Sequence, residues 1–247
     1  MFEKEIIFSA PKDYLDQNVA HPEPIKLHIP KWFKDLKHNV GAPTMKGCIP
    51  VLDSLTSGYL IKMPQDMLIQ HNVSNNEGKK DSFVKWGYES LGQWVIDQGL
   101  NLNFDARETH APFQVGECPY LKKNKDLPFY KIMNPWLIQT PPGYSCLFLP
   151  PMNNPDDRFQ IVPGIVDTDT YNLHINFPII LNGDKYPEMI TTLKVDTPIV
   201  QVIPFKRDAW KMKVQEAKED ARWTGFKLKQ KLMHAYKTVF WSKKSWK

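Results

Sequence analysis

The sequence predicts a mainly β protein, in which an antiparallel sandwich, jelly roll or β-clip-like barrel over residues 1–205 is closed by a long C-terminal α-helix. Three observations carry this expectation. Between Asn134 and Phe205, blocks of strand-forming residues alternate with turn signals about every 8–15 residues. Neither βαβ alternation nor a repeat of fixed period is visible. All twenty-one prolines lie at or before Pro204, and a run with helical periodicity follows them.

Taken in order, Glu5 to Ser9 reads as a short strand. In HPEPIKLHIP, Pro22, Pro24 and Pro30 push their preceding residues toward extended conformations, so this segment is expected to cross the surface rather than form a helix. Lys31 to Lys37 fits one or two helical turns, with Ile29, Trp32, Phe33 and Leu36 on one side as core packing. Tyr59, Ile61 and Met63 alternate with Leu60 and Lys62, and a second strand follows the Pro64–Asp66 break. Asn75 to Lys80 is a polar loop, and SFVKWGYE is strand-like. Glycines 92 and 99 tilt the following stretch toward strand or irregular structure. Glu108 to Asp126 reads as loop. Beyond Pro204, Asp208 can cap a helix starting at Ala209, with Trp210, Val214, Ala217, Ala221, Leu228, Leu232, Ala235 and Val239 at helical spacing.

Composition narrows the functional classes. The three cysteines, 48, 118 and 146, are too few and too scattered for a disulfide framework or a cysteine zinc site, and read as buried or half-buried free thiols in a reducing compartment. MFEKEIIFSAPKDYL carries acidic residues at once and no apolar run, so it does not read as a signal peptide. No window approaches the ~18 apolar residues of a membrane span. A cytoplasmic location is expected, with the virion as the alternative.

The net charge of +5 is unevenly spread. From Lys206 onward there are thirteen Lys and Arg against four Asp and Glu, a net of +9, which leaves the first 205 residues at −4. A mildly acidic body does not suit a nucleic-acid grip; the basic tail does. Lys227, Lys229, Lys231, Lys237, Lys243 and Lys244 are interleaved with aromatics that include Trp241 and Trp246. This tail can dock on the body or on a protein partner, including a second copy. It can also stack on single-stranded nucleic acid, or seat at an anionic membrane surface. The first reading is preferred and the membrane is the least favoured.

No dinucleotide fingerprint, P-loop, HExxH or nucleophile-elbow motif is present, and no His-x-Asp/Glu pair marks a two-histidine iron site. No metal or cofactor is expected; a site from Glu108, His110 and His174 is the weakest of the alternatives. The best chemical candidate is VPGIVDTDTY. On a regular strand Asp167 and Asp169 point the same way about 7 Å apart, close enough to share a metal or to activate water. The alternative is that Asp-Thr-Asp-Thr ends a strand, its side chains capping backbone N–H groups. The missing signatures favour a non-enzymatic structural or interaction protein over an enzyme.

Three motifs, Thr140-Pro-Pro-Gly-Tyr144, Gly164-Ile-Val-Asp-Thr-Asp169 and Pro198-Ile-Val-Gln-Val-Ile-Pro204 before a basic exit, resemble the family catalogued as domain of unknown function 6065. Its members are bacterial and marine tailed-phage proteins. GCIPVLDSLTSGYLIKMP is similar to that family's N-terminal strand pair. The resemblance covers about residues 44–70 and 130–207, and implies a fold and a source but no reaction. More remotely, the same motifs resemble β-clip nucleotide hydrolases. That resemblance implies a small-molecule site in which Asp167 orients water, Tyr171 stacks on a deoxyribose and Gln201 lies in the closing strand. The phosphate-binding Arg-Ser pair is absent. PPMNNPDDRF stands in its place, where Asp156 and Asp157 repel phosphate and Arg158 is the available cation.

Overall fold

In a computed structural model the chain is described over residues 4–15, 20–39, 44–64, 66–72, 82–83, 130–216, 224–226 and 236–247. The protein is mainly β and every strand pairing is antiparallel. The strands are β1 (Ile7–Ser9), β2 (Glu23–Pro24), β3 (Tyr59–Lys62), β4 (Met67–Asn72), β5 (Ser82–Phe83), β6 (Tyr130–Ile132) and β7 (Leu137–Gln139). They continue with β8 (Tyr144–Leu149), β9 (Phe159–Ile161), β10 (Gly164–Val166), β11 (Phe177–Leu181), β12 (Glu188–Leu193) and β13 (Pro198–Lys206). The largest sheet has the order β10-β8-β13-β3-β2, beside β6-β11-β9, β12-β4-β5 and the pair β1-β7. Among the described residues no sheet closes on itself, so the barrel alternative gives way to open, sandwich-like layers.

Period-two burial explains the layers. In β4, Met67, Ile69 and His71 are buried while Leu68 and Gln70 are half-exposed, as a strand covering a core with one face requires. One continuous apolar cluster joins the sheets, with Ile61, Ile69, Ile138, Phe148, Phe177 and Val202 among its members. Burying side chains of this size contributes roughly 1.5–3 kcal/mol each. The central strand, β13, is buried on both faces from Ile199 to Val202 and lies between β8 and β3. Pro204 lies beyond its last β3 pair, Val202–Tyr59, where β13 keeps only its β8 neighbour and a missing N–H is tolerated.

Several local expectations change. The HPEPIKLHIP segment is extended only at β2 and then makes a single 3-10 turn, Ile25–His28. The helix expected after Pro30 forms at Lys31–Asp35, but only Phe33 of its aromatics is buried; Trp32 is exposed and donates Nε1–H to the Asn153 carbonyl at 3.0 Å. Ile49–Thr56, in the stretch likened to a strand pair, is a helix (α1). Pro50 is harmless in its first turn, where N–H groups have no intrahelical partner, and Ile49 and Leu55 anchor it. Gly58 then reverses the chain at φ +83°, with a Cβ position only 2.1 Å from the Val202 carbonyl oxygen, so no side chain fits. β3 and β4, both expected, pair with different partners because the Pro64 break hands the chain from one sheet to another.

The long C-terminal helix does not begin at Ala209: residues 207–216 form neither helix nor strand and are exposed throughout. Asp208, the expected cap, instead accepts a hydrogen bond from Lys206 Nζ at 2.6 Å. A helix stripe needs a surface to bury against, and Trp210 and Val214, its first two members, stand in solvent. Tyr236–Phe240 forms one π-helical turn. The expected loops at 75–80 and 108–126, the ambiguous stretch after Glu89 and most of SFVKWGYE lie outside the described residues.

Candidate functional site

The carboxylate pair sits where three neighbouring strands end together. β10 runs antiparallel to β8 with Val166 opposite Cys146, which brings Asp167 to the level of Ser145. β13 flanks β8 on the other side with Lys206 opposite Tyr144, which brings Arg207 to the level of Gly143. Between them lies Pro141-Pro142-Gly143-Tyr144, a type II turn: Tyr144 N–H donates to the Pro141 carbonyl at 3.2 Å and Gly143 has φ +84°. The proline and glycine are the residues such a turn demands, which is why this motif was legible as a turn.

Hydrogen bonds weld these ends together. Asp169 accepts the Gly143 N–H at 2.8 Å, and Arg207 Nη1 donates to Asp169 Oδ1 at 2.7 Å while Nη2 meets Oδ2. Nη1 also reaches the Tyr144 carbonyl and Ser145 Oγ, and lies 3.2 Å from Asp167 Oδ1. Ser145 Oγ–H donates to Asp167 at 2.6 Å. Beneath, the Thr140 and Thr168 hydroxyls are 2.7 Å apart, and Thr168 is fully buried. The backbone of the DTDT turn closes on itself, with Thr170 and Tyr171 N–H groups donating to the Asp167 carbonyl.

The electrostatics follow from this geometry. The Arg207 guanidinium, helped by the Gly143 N–H, holds the Asp169 carboxyl down at about 2. The Asp169 side chain is 5% exposed and that of Asp167 59%. A group held that low is a poor proton acceptor at neutral pH, so Asp169 does not suit a general base. A metal at the pair would have to displace the guanidinium. Among the described residues no group of three His, Cys, Asp or Glu is placed to hold one. The arrangement works as a latch: one bidentate ion pair fastens the exit of β13 to the turn after β10, which in turn holds the turn before β8.

The other residues of the expected nucleotide site are not gathered here. Gln201 faces Leu149, four residues up β8 from Ser145 and on the order of 13 Å away. Its amide is buried and fully used, accepting from Met152 N–H and donating to the Ser54 and Ser57 carbonyls. Arg158 gives Nε and Nη2 to Asp156 and Nη1 to Thr191 Oγ1. Its partner Asp156 lines a separate cleft of about 410 Å³ walled by Pro150, Pro151, Phe159 and Ile180. Asp157, at that cleft, is paired with Lys185 and its carboxyl is lowered by that contact. Tyr171 stays near the pair, exposed, one turn beyond Asp167. Sequence reasoning missed Arg207 and Ser145; the signal was the need of two neighbouring carboxylates for a cation.

Of the tail residues, Trp241 donates Nε1–H to Asp53 at 3.1 and 3.0 Å, and Lys244 pairs with the same carboxylate. The Trp246 ring packs edge-on against Tyr59 with centroids 6.0 Å apart. Lys237 and Lys243 are in solvent. Lys227, Lys229 and Lys231 lie outside the described residues, as do Glu108 and His110. His174 Nδ1 lies 3.1 Å from the Asn134 carbonyl. Cys146 is buried, and burial pushes its thiol up to about 11, whereas Cys48 is exposed, contrary to the expectation of uniformly covered thiols. No helix among the described residues is long and apolar enough to cross a membrane. Compared with known proteins, the chain matches no family model and no curated protein.

Proposed function

We propose that this chain is a non-enzymatic structural or interaction protein, of the bacterial or tailed-phage type its motifs resemble, which works through the segment that follows β13. The observation that carries the reading is that Trp210, Met212 and Val214 stand 91%, 87% and 86% exposed directly after the latch. Three large apolar side chains in so short a segment mark a contact surface rather than a solvated linker. The latch supports it from the other side, because Arg207 spends the candidate carboxylates on anchoring the root of that segment. The nucleic-acid alternative keeps its lysines, but two of its stacking rings, Trp241 and Trp246, are engaged with the body.

A thermal-shift screen of the full chain with nucleotides, sugars and divalent cations tests this reading. The expected result is no ligand-induced shift that depends on Asp167. A ligand that stabilises the native chain but not the Asp167→Asn variant overturns it in favour of a small-molecule site.

A further inference from the structure

The strand registers place a second unexplained apolar feature next to the first. Ile165 of β10, Leu147 of β8 and Ile203 of β13 stand in one row across three adjacent strands. Side chains directly across a sheet share a face, and so do residues two apart along a strand, which adds Phe205. The opposite face of these strands, with Cys146, Phe148 and Val202, covers the core, so this row lies on the outer face. Ile165 is 64% exposed, Phe205 is exposed, and Leu147 and Ile203 are half-exposed. α1 and the turn after it reach this face beside Gln201, through Ser54 and Ser57, and Gly58 lies against Ile203. The chain thus carries a partly exposed apolar strip on a sheet and, four residues beyond Phe205, a bare apolar segment.

The segment has the pattern of a strand seeking a surface. Trp210, Met212 and Val214 alternate with Lys211, Lys213 and Gln215, so in extended form one side is wholly apolar and the other polar. Its own chain's strip is not its seat, because its three apolar side chains remain almost fully in solvent. We propose that the occupant is a second copy of this chain: the 209–214 segment of each protomer lies over the Ile165–Leu147–Ile203–Phe205 strip of the other, in a two-fold dimer. Donor and acceptor on one chain satisfy the self-complementarity such an interface requires. Charge agrees, since residues from 206 onward carry +9 and the body they would cover carries −4. The latch has a role in this exchange. By fixing Arg207 against Asp169 it sets the direction in which the segment leaves β13 and removes entropy that docking would otherwise cost.

This inference rests on the interaction reading above and deepens it by naming the partner. The test is sedimentation equilibrium of the full chain over a wide concentration range, for the native protein and two surface variants. Trp210→Ser/Met212→Ser strips the donor, and Ile165→Ser strips the acceptor; both change exposed side chains and leave the core intact. The native chain is expected to dimerise, and each variant to raise the dimer dissociation constant by about tenfold or more. A native chain that is monomeric at every concentration overturns the exchange. So does a dimer indifferent to either variant, since donor and acceptor must both matter. Neither failure touches the broader reading, which falls only to an Asp167-dependent ligand.

Discussion

Nη1 of Arg207 stands 2.7 Å from Oδ1 of Asp169 across 38 residues of sequence. This contact joins the end of the central strand to the turn that follows an edge strand. It also gives both carboxylates of the most chemistry-like motif of the chain a guanidinium as partner.

The pair makes stability depend on pH in a defined direction. Asp169 titrates near 2 in the folded protein against an ordinary value of 3.8, so its contribution is complete above about pH 4 and is lost as pH falls from there toward 2. Asp169→Asn should lower stability at neutral pH and flatten the acid limb of a denaturation-midpoint profile. Part of the slope should persist, because Asp66 and Asp157 are lowered by their lysine partners.

Gln201 behaves as a core bracket between β13, α1 and the turn at Met152. Gln201→Leu strands one N–H and two carbonyls in the interior, at roughly 1–3 kcal/mol for each group that finds no water. Urea denaturation should show a midpoint fall without loss of cooperativity. An unchanged midpoint would mean the bracket carries no stability.

Gly58→Ala meets two obstacles at once, a left-handed backbone and the Val202 carbonyl 2.1 Å from the new carbon. A cost of about 1–3 kcal/mol is expected, or a fall in Tm of about 2–4 °C per kcal/mol for a chain of this length. Gly143→Ala is a useful comparison: φ is equally unfavourable there but the space is open, so it should cost less.

Thiol chemistry separates the cysteines. In a Cys118→Ser background, Cys48 should react with an aromatic disulfide reagent at once, and Cys146 only as the protein unfolds, because burial both excludes the reagent and suppresses the thiolate. Two fast thiols in the native state would contradict the packing of β8.

Asp53 fastens the chain's end to α1 through Trp241 and Lys244. Asp53→Asn should loosen that end by on the order of 1 kcal/mol, seen as tryptic cleavage at Lys243 and Lys244 about fivefold faster. The core should melt at nearly the native temperature.

Turn chemistry and periodicity were legible because they are local. Pro141-Pro142-Gly143 contains the residues a type II turn needs, and Met67-Leu68-Ile69-Gln70-His71 alternates as a one-sided strand must. The helix at Ile49–Thr56 was hidden because its eight residues give barely two turns of periodicity, and its stability comes from Ile49 and Leu55 meeting the body. The expected helix does not begin at Ala209 for the converse reason: Trp210 and Val214 suit a helical stripe, but Trp210, Met212 and Val214 equally suit a strand.

The sequence by itself determined the class of this protein: β-forming blocks punctuated by proline, an acidic body and a basic end, each a property of composition and nearest neighbours. Only the tertiary structure decided what Asp167 and Asp169 face, that Gln201 and Arg158 are engaged elsewhere, and that Trp210, Met212, Val214 and Ile165 stand exposed. Those facts depend on strand register, which brings Arg207, Ser145 and Asp169 together over distances in sequence that no local pattern records.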